Sequence, residues 1–256
     1  MTPFLLKIAL PPILVAVMSL AARLWGPTVG GLLLGLPWMT GPVLFFLALD
    51  KGDDFAVGAC TGIQLGVVGV GGYILAYGSV ALFARWPLSL AAAVGAYLAI
   101  AWGMQDVALP LWSAAGVAAV ALAITLLLLP RPRTSASLSA LPWWDIPARM
   151  AVTLALVSII MLTADMLGAQ LSGIASTFPV IFTVIGAFTH RQWGRDAVLR
   201  VLRGLTVSLL AFVVFFLVVG AALPAVGLAI SYALATAAAL PVSALLLAFS
   251  RHRVTR

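Results

Sequence analysis

Gly35-Leu36-Pro37-Trp38-Met39-Thr40-Gly41-Pro42 sets two prolines and two glycines inside an otherwise apolar stretch. Proline has no N–H and its ring strikes the preceding turn, so a helix running through this stretch should break. The freed carbonyls and N–H groups then need partners, from hydroxyls, water or a polar solute. Ser176-Thr177-Phe178-Pro179 repeats the theme in the second half of the chain. Interrupted helices at matching depth point to a solute site; a packing kink satisfied by neighbouring helices is the plainer alternative. The candidate solute contacts are Pro37, Thr40, Gly41, Pro42, Ser176, Thr177 and Pro179, with Gln64, whose amide can also serve simply to bond two helices together.

Ionisable groups inside apolar segments are functional suspects, because charge is costly there. Arg23 and Asp165 are the candidates for a charge or proton relay. Both lie near helix ends, where an interfacial, solvated side chain is the alternative. Asp54 and Asp196 each open a helix after a short loop, where a carboxylate accepts from free N–H groups and complements the dipole; both are read as capping residues. The single cysteine, Cys60, excludes an intrachain disulfide and a cysteine metal site. His190 and His252 sit at helix ends in basic surroundings and read as loop residues. No metal, no cofactor and no enzyme are expected: there is no nucleotide-binding loop and no Ser/His/Asp set at one depth.

The elements that must hold these residues follow from composition. Of 256 residues, 64% are hydrophobic and 8% charged, and the mean hydropathy is +1.19. A soluble domain carries roughly a quarter charged residues, so lipid is the solvent expected for most of this surface. The net charge of +7 is accounted for by basic cytoplasmic loops rather than by nucleic acid. A helix needs about 20 apolar residues to cross the hydrocarbon core. Windows between charged or Pro/Gly breaks give nine spans, over 4–24, 28–49, 55–83, 87–104, 109–130, 147–167, 170–190, 197–222 and 225–249. Ser19-Leu20-Ala21 resembles a signal-peptide cleavage site, but the n-region is weak, and the segment is read as a retained first helix.

Nine spans sort the basic residues by side. Lys7 and Lys51 fall on one, and Arg23, Arg85, Arg131, Arg133, Arg149, Arg191, Arg195, Arg200, Arg203, Arg251, Arg253 and Arg256 on the other. The bias places the N-terminus outside and the C-terminus in the cytoplasm of a bacterial inner membrane. Trp86, Trp143 and Trp144 suit interfacial anchors.

Sliding the chain on itself by 142 positions pairs Gly26 with Gly168, Gly31 with Gly173, Pro37 with Pro179, Gly52 with Gly194, Asp54 with Asp196, Gly62 with Gly204, Gly78 with Gly220 and Ser89 with Ser231. The expected organisation is a first four-helix repeat (1–108), a connecting span (109–130), a cytoplasmic linker (131–146) and a second repeat with a basic tail (147–256). An odd number of crossings between the copies would turn the second upside down. Helix 3 carries Gly58, Gly62 and Gly66 one turn apart, a stripe suited to close helix packing.

The run Leu171-Ser172-Gly173-Ile174-Ala175-Ser176-Thr177-Phe178-Pro179, followed by an apolar stretch and Gly194-Arg195-Asp196-Ala197, resembles the GlpM-like small inner-membrane proteins. The resemblance covers roughly 149–249. The first copy departs from it, with Leu36 in place of the Phe before Pro37. It implies a four-helix membrane unit, here fused as an inverted pair, and leaves activity open.

The sequence therefore predicts an all-α polytopic membrane protein. Its expected function is that of a small permease or exporter, with the lipid bilayer and an unidentified small solute as partners, and a homodimer left open. The alternative is a non-transporting scaffold or lipid-handling protein for envelope biogenesis.

Overall fold

A computed structural model describes residues 2–38, 40–104, 106–133, 142–159 and 178–252. Those residues form helices and no strand. In chain order they are α1 (Thr2–Trp25), α2 (Pro27–Leu34), α3 (Thr40–Lys51), α4 (Asp53–Val80), α5 (Trp86–Met104), α6 (Leu111–Leu128), α7 (145–159) and α8 (Val180–His252). α8 is interrupted at Gly194 (φ 78°) and Gly227 (φ 75°). It therefore reads as three pieces: α8a over 180–193, α8b over 195–226 and α8c over 228–252.

Among the described residues four helices are long and apolar enough to cross a membrane: α4, α5, α6 and the 64-residue stretch Val180–Ser243 of α8. Ala9–Trp25 adds a shorter apolar helix. The outside of the bundle is as apolar as its spans. Leu127 is 83% exposed and Leu128 62%, and Leu20, Leu49, Val120, Ile124, Ile230 and Leu245 are likewise exposed. Water would not tolerate such a surface on a monomer, and lipid accepts it. The chain is a membrane-embedded helical protein.

The break expected in the second span is present. α2 stops at Leu34, and α3 starts at Thr40. The sequence also expects a boundary at 223–224, around Pro224. Instead α8 runs through Pro224 and breaks at Gly227. Proline near the end of a helix forfeits one hydrogen bond, whereas the left-handed backbone at 227 is open only to glycine at little cost.

α4 and α8b form the centre as an antiparallel pair. A Cβ at Gly220 would lie 3.0 Å from Cys60 Cβ, and one at Gly78 would lie 3.4 Å from Leu202 Cδ1 and from Leu199 Cδ2. α6 packs on α4 from the side, with Thr125 Oγ1 3.0 Å from a Cβ at Gly71. α2 packs chiefly on α8. A side chain at Gly31 would overlap the carbonyl of Val201, and one at Gly204 would overlap the carbonyl of Thr28. Backbone meets backbone at this crossing, as small residues allow in membrane helices.

Two hydrophobic cores flank the central pair. One joins Tyr73, Ile74 and Tyr77 of α4, Ala93 and Tyr97 of α5, Phe182 and Ile185 of α8a, and Val198 and Leu202 of α8b. The other joins Phe215, Phe216 and Val219 of α8b, Ala235 and Ala239 of α8c, Leu44 and Ala48 of α3, and Ala56 and Cys60 of α4.

The tight crossing generates a prediction. Gly204→Ala should destabilise the protein by about 1–3 kcal/mol through overpacking against backbone that cannot yield. Gly95→Ala, with no described atom within 4 Å of the new Cβ, should leave stability unchanged or slightly raised. Thermal unfolding of the detergent-solubilised variants measures both.

Candidate functional site

The break between α2 and α3 is a short run of tight turns. Leu36 N–H donates to Leu33 O at 3.2 Å, Trp38 N–H to Leu36 O at 2.8 Å and Gly41 N–H to Pro37 O at 3.0 Å. The break lies against the middle of α8b. A Cβ at Gly35 would come within 2.6 Å of Ser208 Oγ and 3.0 Å of Leu209 N, and Phe215 lies 4.0 Å from a Cβ at Gly41. Side chains bond carbonyls at and beside the break, Leu33 O at the end of α2 and Gly41 O in the first turn of α3. Trp38 Nε1 donates to Leu33 O at 2.9 Å, and the Tyr232 hydroxyl donates to Gly41 O at 2.8 Å. Pro42 stands in the first turn of α3, where its missing N–H costs little; Thr40 is the first residue of that helix.

Gln64 reaches the same stretch of α8b from α4. Its Nε2 donates to Val213 O at 2.9 Å, and the residue is fully buried. Gln64 Oε1 and Ser208 Oγ are buried without a hydrogen-bond partner. Buried polar atoms are nearly always paired; two that are not, one on α8b itself and one on the glutamine bonded to it, lie at this stretch. Gly35, Gly41 and Gln64 thus meet one segment of α8b, whereas Pro37 and Thr40 are half-buried within the break and Pro42 is exposed. The signal for Ser208 was its neighbourhood alone, and the sequence reading missed it.

In the second half Pro179 precedes α8a, and Thr183 N–H donates to Pro179 O at 2.9 Å. Phe178 packs edge-on to Tyr97, with ring centroids 5.5 Å apart, and to Tyr73, 6.4 Å apart. The Tyr73 hydroxyl and Thr183 Oγ1 are 3.0 Å apart, and the Tyr77 hydroxyl lies 3.3 Å from His190 Nδ1. His190 is therefore no loop residue. It closes α8a facing α4, and its ring is buried. Ser176, Thr177 and Asp165 lie outside the described residues.

Arg23 is engaged with partners that its place in the sequence does not suggest. Its Nη2 donates to Asp145 Oδ2 at 2.6 Å. Arg149 Nε donates to the same oxygen at 3.0 Å, four residues along α7. Arg149 Nη2 donates to Gln192 Oε1 at 2.8 Å, and Gln192 Nε2 donates to Asp145 Oδ1. The Arg149 guanidinium also covers the ring of Phe188, 5.0 Å from its centroid. Asp145 is 0% and Arg149 2% exposed. Burial pushes the Asp145 carboxyl up; the Gln192 amide and the Arg149 and Arg23 guanidiniums outweigh it and hold the group below the usual aspartate range. This cluster ties the end of α1 to the start of α7 and the end of α8a.

The expected capping carboxylates sit one residue inside their helices. Gly52 (φ 86°) and Gly194 (φ 78°) occupy the turn itself, and Asp54 and Asp196 follow two residues later. Asp53 and Asp54 lie in the first turn of α4, where they complement its dipole. Asp196 Oδ1 accepts the backbone N–H of Arg133 at 3.2 Å. Among the described residues no group of three or more His, Cys, Asp or Glu could hold a metal.

No family model, no curated protein and no solved structure matches the chain.

Asp145→Asn should be costly, because it leaves the buried Arg149 charge without its carboxylate. Breaking such a pair costs about 3–5 kcal/mol, read as a lowered melting temperature. The lowered Asp145 pKa sets the sign of the pH dependence. Its contribution to stability is complete above the ordinary aspartate pKa and is lost as pH falls through the lower folded value. Thermal melts taken from neutral to strongly acid pH should therefore show a decline in the wild type below about pH 4 that is shallower in Asp145→Asn.

Proposed function

We propose that the chain is a small inner-membrane permease or exporter, with nine spans arranged as two inverted four-helix copies about a connecting helix. The observation that carries this reading is the convergence of the α2–α3 break, Gln64 and Ser208 on one stretch of α8b. That stretch lies midway along a helix long enough to span the bilayer, where transporters place their solute sites. Pro37, Thr40, Gly41 and Pro42 would shape the site, and Gln64 would present its unpaired amide oxygen to a donor on the solute. Pro179 and the start of α8a would supply the counterpart in the other half. The site has no buried charge among these residues, so a neutral or zwitterionic polar solute suits it.

The inverted arrangement has support in the packing. Exchanging the two halves by 142 positions turns the contact of Gly220 with Cys60 into the contact of Gly78 with Leu202. The same exchange carries the α4, α5 and α8b residues of the first core onto the second. Tyr73 falls on Phe215, Ile74 on Phe216, Ala93 on Ala235 and Ala56 on Val198, and all are buried. Gly52 and Gly194 share the left-handed turn. Ser89 and Ser231 are both fully buried, and each hydroxyl returns to a carbonyl at the start of its own helix. α4 and α8b run antiparallel, as copies in opposite orientations would. In this reading the N-terminus is outside, and the arginines of the corner at 190–196 are cytoplasmic.

A scaffold without transport is the second reading. Trp38 and Tyr232 satisfy carbonyls of the break internally, as a permanent packing kink requires.

Uptake into proteoliposomes from a panel of neutral and zwitterionic metabolites tests the proposal. Transport of at least one class is expected, and Gln64→Leu should reduce it about tenfold or more while the melting temperature moves little. A folded wild type that moves nothing in the panel would favour the scaffold. A second measurement separates the two directly. With Cys60 replaced by Ala, a cysteine at Thr40 should react with polar thiol reagents in a permease, and solute should protect it. Complete protection with and without solute is expected of a scaffold.

A further inference from the structure

The turn after α4, the corner between α8a and α8b and the segment after α6 meet at one end of the molecule. Between the first two lies a cleft of about 680 Å³, lined by Arg85, Arg191, Arg195 and His190 among others. Leu82 and Arg195 also line an adjoining recess of about 250 Å³, completed by Arg131, Arg133 and Asp196. Five arginines from three separate segments therefore surround one connected hollow. The single carboxylate lining it, Asp196, already accepts the Arg133 backbone N–H. Arg195 Nη1 donates to Leu82 O at 3.1 Å, which fixes its guanidinium where the two hollows join. Arg85 and Arg191 have no ion-pair partner among the described residues.

Five guanidiniums gathered around one carboxylate repel one another, and an anion with several acceptor oxygens relieves that repulsion. The planar fork of arginine matches phosphate oxygens two at a time. Gly194 also lines the cleft, and α8b restarts immediately after it, adding the partial positive charge of a helix start. The rim is apolar. Trp86 and Phe83 line the same cleft, and Phe83 is 79% exposed. A general bias of arginine toward the cytoplasmic side puts charge on this end, but it does not gather three segments around one hollow.

The geometry points to a binding site for a phosphate-type anion in this cleft, with Arg85, Arg191 and Arg195 as its ligands. The anion is the headgroup of an acidic phospholipid at the membrane surface or a soluble phosphate compound. The site requires no solute to cross the membrane, so it stands independently of the transport reading.

Purified protein in neutral detergent, titrated separately with phosphatidic acid and with inorganic phosphate, provides the test. Native mass spectrometry follows retained lipid, and calorimetry follows phosphate. The wild type should bind at least one probe. Arg191→Gln/Arg195→Gln should weaken binding about tenfold or more, and Lys51→Gln, remote from the cleft, should leave it unchanged. Retention of phosphatidic acid undiminished by excess phosphate assigns the site to lipid, and displacement by phosphate assigns it to a soluble anion. If the double variant does not fold, Arg85→Gln must weaken binding several-fold. Equal binding by wild type and a folded cleft variant, or no binding of either probe by folded wild type, overturns the proposal.

Discussion

The crossing of α2 over α8b leaves no room for a side chain on either helix. Gly31 rests on the carbonyl of Val201, and Gly204 rests on that of Thr28. Lipid offers no hydrophobic drive to press helices together, so such pairs hold by close van der Waals contact and by hydrogen bonds across the interface. The crossing fixes the depth at which the chain of the second span reaches α8b. One turn further on, Gly35 brings the break itself against Ser208 and Leu209. A bulkier residue at Gly31 or Gly204 would lift the whole break away from Ser208 and from the hydroxyl of Tyr232.

A broken helix in hydrocarbon must have its peptide groups satisfied from within. Here one partner is local, the indole of Trp38, and the other, the phenol of Tyr232, arrives from α8c. The charged cluster at Asp145 does comparable work at the end of the bundle that holds most of the arginines. It joins α1, α7 and α8a through one carboxylate that serves two guanidiniums and an amide. The break and the cluster lie on different elements, so the middle of the bundle and its end are fixed by separate interactions.

The lipid solvent, the break at Pro37 and the corner at Gly194 were legible in the sequence. Each is a local signal: sustained apolar runs, a proline within one, and a glycine between polar residues. The end of α8b was misplaced because proline is the louder signal, while Gly227 carries the left-handed turn. The Arg23–Asp145 pair spans 122 positions, and no periodicity announces a contact at that distance. Gln192 and His190 stand in a run that looks like a polar loop, and only the approach of α4 and α7 buries the histidine and engages the glutamine. Asp165, Ser176 and Thr177 fall outside the described residues.

The account depends on the two halves being mounted in opposite senses across the bilayer. Paired reporters that distinguish the periplasm from the cytoplasm, fused after residue 50 and after residue 192, test this most directly. The expected result is an external signal at 50 and a cytoplasmic signal at 192. Signals from the same compartment at both positions would contradict the inverted architecture and the midplane site built on it.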